Sequence, residues 1–170
     1  MSKASQGSAA GPAAKSAARL MAVQALYQIA LTGAPASHVE AEFLRHRVAG
    51  GELEGAHYTP ADRALFVDLV RGVAGACAEL DALIAAVLPE DWALKRLEMV
   101  LLAILRCGVY ELRQRAEVPP KVTITEYVDV AHGFYGGKEP AMTNAILDRL
   151  ARELRAQEMG GAPDPAAGSA

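Results

Sequence analysis

The stretch LKRLEMVLLAILRCGVYEL, residues 94–112, decides the fold class. Leu94, Leu97, Leu101, Ile104, Leu105 and Leu112 recur at helical spacing, and the middle of the stretch, MVLLAIL, is apolar nearly all round. Such a helix has almost no face to give to water, so the pattern predicts a central helix covered on most sides by others. Arg106 is its odd residue. Placed directly after the apolar run, its charged head must snorkel, pair with an acid such as Glu126, or serve a partner.

Outward from this helix the same period continues. Upstream, Leu65, Phe66, Leu69, Val70 and Val73 lead into Leu80, Leu83, Ile84, Val87 and Leu88, where Pro89 stops the run; Gly72 and Gly75 mark a close crossing or a break between two helices. Thr59-Pro60-Ala61-Asp62 offers an N-cap hydroxyl, a first-turn proline and a capping-box acid, which predicts a helix start there. Residues 50–58 read as a loop. Nearer the N-terminus, Leu20, Val23, Tyr27, Ala30 and Leu31 form a stripe closed by Gly33 and Pro35, and Ser37 is able to cap a second helix bearing Val39, Phe43 and Leu44. Downstream, Pro119-Pro120 opens a helix with Val122, Ile124, Tyr127, Val128 and Ala131 inward, ending at Gly136-Gly137. A last helix starts near Pro140 and carries Met142, Ile146, Leu147, Leu150 and Leu154. The expectation is an all-α fold of about seven helices over residues 14–156, without strands or internal repeats. Residues 1–13 and 157–170, rich in Ser, Ala, Gly and Pro, are expected to be disordered tails.

Composition agrees. Hydrophobic residues make up 52% of the 170 and aromatics only 5%, which suits close-packed helices and argues against an all-β fold. The 17 Lys and Arg against 20 Asp and Glu give a net charge of −3, so the chain does not coat nucleic acid by charge alone. Charge breaks every apolar run well short of the roughly 18 residues a membrane span needs, and the start lacks the apolar centre of a secretory signal. The expectation is a cytoplasmic protein with no membrane partner. Cys77 and Cys107 read as small buried hydrophobes in a reducing compartment. His38, His46, His57 and His132 show no HExxH spacing and no CxxC accompanies them, so no metal site is expected. No phosphate loop, dinucleotide fingerprint or nucleophile elbow is present, and Glu98 and Glu111 have basic neighbours suited to solvated helix faces. Neither an enzyme nor a cofactor is expected.

Charge placement says more than the total. Residues 1–39 hold Lys3, Lys15 and Arg19 and no acid, so this stretch carries +3 and the remainder −6. Lys15 and Arg19, spaced i, i+4, would share one helix face as a grip on a phosphate backbone. Composition alone favours an ordinary solvated face. Asn144, in AMTNAILD, either caps the last helix, bonds to a backbone group or serves a partner.

Six collinear blocks resemble the NusB transcription antitermination factor family. They are ARLMAVQALYQ in the first helix, DRALFVDLVRGV, Leu80-Asp81, ILRCGVYEL, VPPKVTITEYVDVAHGF and NAILD, and together they cover about residues 15–155. The resemblance implies two small helical bundles and no enzymatic activity. It further implies a partner, NusE, which is also a small-subunit ribosomal protein. With it the family binds boxA-like single-stranded RNA of nascent ribosomal transcripts and acts on the RNA polymerase elongation complex. By the same resemblance Lys15 and Arg19 are phosphate contacts, and Tyr27, Arg106, Phe134 and Asn144 are candidates for the RNA or NusE surface. Family members differ in oligomeric state, so a homodimer is compatible with it. The chain departs from the pattern in having Ser16-Ala17-Ala18 where relatives carry consecutive arginines, and Met142-Thr143 where they carry Phe-Val. Fewer cations and one lost ring imply weaker RNA binding, with Lys3 and Lys138 compensating in part. Two other readings compete: a helical protein-interaction module that has shed RNA binding, and the NusB-like domain of a ribosomal RNA cytosine methyltransferase. The absence of a glycine-rich cofactor loop disfavours the latter.

Overall fold

In the computed structural model, residues 10–160 are described, apart from Glu54 and Asp91. Seven α-helices follow in order: α1 (Pro12–Thr32), α2 (Ala36–His46), α3 (Arg63–Gly75), α4 (Cys77–Val87), α5 (Met99–Gln114), α6 (Pro120–Phe134) and α7 (Glu139–Leu154). The fold is all-α, as expected. α5 is its centre and packs against α1, α3, α4, α6 and α7. Leu101, Ile104, Leu105, Cys107 and Leu112 are all buried along it. The expected stripe begins too early, because Leu94 lies in a separate 3-10 turn, Leu94–Arg96, ahead of α5.

Two hydrophobic cores share the chain. One collects α4 to α7 around Ile104, Leu105, Tyr127, Leu147 and Leu150. The other joins α1, α2 and α3 around Phe43 and Phe66, whose rings stack at 5.9 Å. α1 serves both, sending Val23 and Leu26 into the first and Ala18, Met21, Ala22 and Ala25 into the second. This double duty corrects the stripe read from the sequence: Leu20, Ala30 and Leu31 are exposed, whereas Val23 is buried together with Ala18, Met21, Ala22, Ala25 and Leu26. A helix wedged between two bundles buries residues on two sides, so its inward surface is wider than, and turned away from, the single stripe that one-sided packing would give. Val122 is likewise exposed, one position off the face where Thr123, Ile124, Tyr127, Val130 and Ala131 are buried.

Residues 50–58, expected as a loop, contain a short antiparallel hairpin, β1 (Gly51–Leu53) and β2 (Ala56–Tyr58), in the register Gly51↔Tyr58, Glu52↔His57 and Leu53↔Ala56. Three-residue strands are below the length at which alternation is legible. The turn depends on glycine, since Gly55 adopts a positive φ of 79°. The helix start after it also shifts. Asp62, not Thr59, is the N-cap of α3, its Oδ1 accepting the Leu65 N–H at 3.1 Å. The Asp62 N–H donates to the Ala14 carbonyl at 2.9 Å and pins this corner to the start of α1.

Gly72 and Gly75 do both things expected of the pair. A Cβ at Gly72 would lie 2.1 Å from Tyr110 Cζ, so the glycine permits the α3–α5 crossing, and the helix breaks just after Gly75. Tyr110 donates to Asp68 at 2.7 Å, and Arg115 holds the same carboxylate at 2.8 Å. Burial, then the hydrogen bond and charge of Asp68, push the Tyr110 phenol up to about 12. An unfolded tyrosine titrates near 10, so this contribution to stability is complete below about pH 10 and is lost as pH rises toward 12. Tyr110→Phe should therefore flatten the fall in denaturant stability across that window; an unaltered slope would refute the assignment. Some slope should remain, because burial also pushes Tyr135 up to about 12.

The cysteines are free; Cys107 is buried as expected and its thiol is pushed up by burial, whereas Cys77 is only half-buried, its Sγ donating to the Val73 carbonyl at 3.2 Å. Among the described residues no helix is long and apolar enough to cross a membrane, and no three acidic, His or Cys side chains group as metal ligands. The expected tails fall largely outside the described residues. At their inner edges α1 already starts at Pro12, and Met159 is buried in the first core.

Candidate nucleic-acid interface

The acid-free start of α1 sets the site. Gly11 and Pro12 open the helix without a side-chain cap, and Lys15 is exposed one turn in. Arg19, a turn further, does not stand beside it as a solvated cation. Its side chain is 4% exposed and grips Glu111 of α5 through two hydrogen bonds, Nε–Oε2 at 2.8 Å and Nη2–Oε1 at 3.0 Å. The expectation of two solvated cations is thus corrected to one. The physical reason lies in α5, where a fully buried Glu111 carboxylate requires a cation. Tyr127 of α6 also donates to Glu111 Oε2, at 2.5 Å.

The electrostatics follow from this closure. Burial opposes the Arg19 charge, but the hydrogen bonds and charge of Glu111 prevail and hold its pKa above the ordinary arginine value. Burial and then the Glu111 charge push the Tyr127 phenol well above its usual range. Arg19 stays cationic and Tyr127 stays neutral, so the knot keeps its form across the physiological range. Glu126, also on α6, closes it toward solvent: its Oε2 accepts from Ser16 Oγ at 2.8 Å and lies 3.5 Å from Arg19 Nη1.

Over this knot runs a groove between the start of α1 and the α5–α6 loop. Lys15 and Arg19 line one side; Glu117, Val118, Pro119, Val122 and Glu126 line the other. Arg155 fixes the loop wall from behind, donating to the Ala116 and Val118 carbonyls at 2.9 and 2.8 Å, with Glu158 bound to its guanidinium.

The remaining candidates lie elsewhere. Tyr27 is half-buried on α1, twelve residues beyond Lys15 or about 18 Å along the helix axis. Arg106 is turned to α4, where Asp81, rather than the expected Glu126, takes both its Nε and Nη2, at 2.7 and 2.8 Å. The two carboxylates are not interchangeable, because Asp81 lies on α4 and Glu126 already serves Ser16 and Arg19. Phe134 is exposed at the end of α6, twelve residues from Val122 and so far from the groove. Lys138, in the α6–α7 junction that follows, lies over the Trp92 ring at 5.2 Å. Asn144 is exposed within α7 and does not cap it; Thr143 bonds back to the Glu139 carbonyl at 2.9 Å instead. The structure therefore joins Lys15 and Arg19 at one groove, while Phe134 and Lys138 flank the α6–α7 junction without a shared contact partner among the described residues.

The sequence reading gives Ser16 no role, offers Glu126 to Arg106 and places Glu111 on a solvated helix face; the complete burial of Glu111 against Arg19 and Tyr127 corrects the last of these. For Glu111 a signal existed, since an acid between Val109 and Leu112 on an apolar helix needs a partner. Ser16 and Glu126, 110 positions apart, gave none.

Residues 16–152 match the NusB family. The transcription antitermination protein NusB of a Bradyrhizobium species is 48% identical over 146 residues, covering 86% of each chain. That of Nitrobacter hamburgensis is 50% identical over 144 residues, covering 85% of this chain and 89% of its own. Among solved structures, T. maritima NusB superposes with a TM-score of 0.66 at 26% identity, over 85% of this chain and 96% of the other.

Proposed function

This chain belongs to the NusB family, and from that premise we propose that it is a transcription antitermination factor. It binds boxA-like single-stranded RNA together with NusE, acts on RNA polymerase elongation, and catalyses no reaction. One observation carries the RNA part of this reading. Lys15 is an exposed cation on the rim of a groove with an apolar wall, in a helix entry free of acids. Nucleic-acid binding needs such a local positive edge when the chain as a whole is acidic. Arg19 supports that edge from below. Tyr27, Arg106, Phe134, Lys138 and Asn144 extend the candidate surface toward RNA or NusE.

A salt titration tests it. Lys15→Ala should weaken binding to a boxA-like RNA and lower the slope of log affinity against log salt by about 0.7, the share of one phosphate contact on a single strand. Folding should change by less than about 0.5 kcal/mol, because Lys15 is exposed. Unchanged affinity would remove Lys15 from the interface. The burial of Arg19 favours one second reading, a helical module that recruits proteins only. Absence of RNA binding both with and without NusE would establish it.

A further inference from the structure

We propose that the groove between α1 and the α5–α6 loop is a slot for a single nucleobase, in which Glu126 selects bases bearing an exocyclic amino group. This rests on the RNA-binding reading above. The groove encloses about 290 Å³, at the bottom of the range of small-molecule pockets, about 300 to 1,000 Å³. That space fits one splayed base rather than a helix.

Its chemistry is not that of a phosphate trap. Arg19 is already neutralised by Glu111, and Glu117 pairs with Arg115 at 3.3 Å. Lys15 on one side and Glu126 on the other are what remain, one charge of each sign. A phosphate beside Glu126 would be repelled, whereas an uncharged planar ring with N–H groups on its edge would not. Both polar contacts of Glu126 run through Oε2, to Ser16 and Arg19, which fixes the carboxylate and leaves Oε1 for a donor. Carboxylates accept from the amino group of cytosine in this manner, and single-stranded RNA is read on such exposed edges. Val118, Pro119 and Val122 give the apolar wall against which a base face lies, and Val122 is 44% exposed although nothing in the fold requires it there. Lys15 then takes the adjoining phosphate. Uracil, whose one edge donor, N3–H, lies between two carbonyl oxygens, meets the carboxylate less favourably than cytosine or adenine, which present an amino group.

The test uses the full chain with three twelve-nucleotide probes: oligouridylate, oligocytidylate and oligoadenylate. The expected result is about ten-fold tighter binding of the cytidine and adenine probes at fixed salt, with the preference falling to within two-fold in Glu126→Gln and the salt slope unchanged. A preference that persists in a folded Glu126→Gln overturns the proposal, as does equal binding of all three probes by the unaltered chain. Val122→Ser, a surface change, should weaken the cytidine probe about five-fold without changing the salt slope. It remains decisive even if Glu126→Gln does not fold, and unchanged binding overturns the slot. Failure of every probe and of boxA-like RNA to bind would instead sink the RNA reading itself.

Discussion

Glu111→Ala is expected to destabilise the protein by about 3 to 5 kcal/mol, measured as the shift in a urea unfolding transition. The change removes a fully buried carboxylate and leaves Arg19, 3% exposed, without its principal partner. Breaking one side of a buried ion pair carries that cost because the surviving charge remains desolvated. The Tyr127 hydroxyl also loses its acceptor. Two comparisons separate this explanation from general fragility. Arg152→Ala breaks an exposed pair with Asp148 at 2.8 Å and should change stability by less than about 1 kcal/mol. Replacing both partners, Arg19→Met with Glu111→Leu, should recover most of the loss, since apolar groups of similar volume leave no unpaired charge. A loss below about 1 kcal/mol in Glu111→Ala would mean that Glu126, 3.5 Å away, satisfies Arg19 alone. The same experiment bears on function: a weaker RNA affinity in Arg19→Ala reports a damaged fold unless stability is measured alongside, whereas Lys15→Ala is free of that confusion.

Leu105→Ala should cost about 2 to 5 kcal/mol by the same measurement, the usual range for a buried leucine whose cavity cannot fully collapse. Leu105 is 0% exposed in the larger core, on the helix that meets five others. Leu20→Ala on α1, where the side chain is 38% exposed, is the matched control and should lose less than about 1 kcal/mol. Equal losses at the two positions would contradict the packing of α1 between the bundles. A loss under about 1 kcal/mol at Leu105 would place α5 at the periphery.

The helical architecture was readable from the amino-acid order alone. Seven helices, the centrality of α5 and most helix ends were legible because period and punctuation are local: leucines every three or four residues, proline at a first turn, glycine after a last one. Which side chain meets which emerged only from the packing of the helices. Lys15 and Arg19 look alike along the chain, yet one lies in water and the other is locked inside, because Glu111 reaches Arg19 from 92 positions away. Leu20 and Val122 carry the hydrophobicity of core residues, but the close approach of neighbouring helices on both sides of α1 and on the inner face of α6 chose other positions to bury. The groove itself arises where Ser16 and Glu126, 110 positions apart, are brought within one hydrogen bond. Local sequence fixes dihedral angles and periodic faces, whereas the pairing of charges and the shape between helices depend on crossings that no single segment encodes.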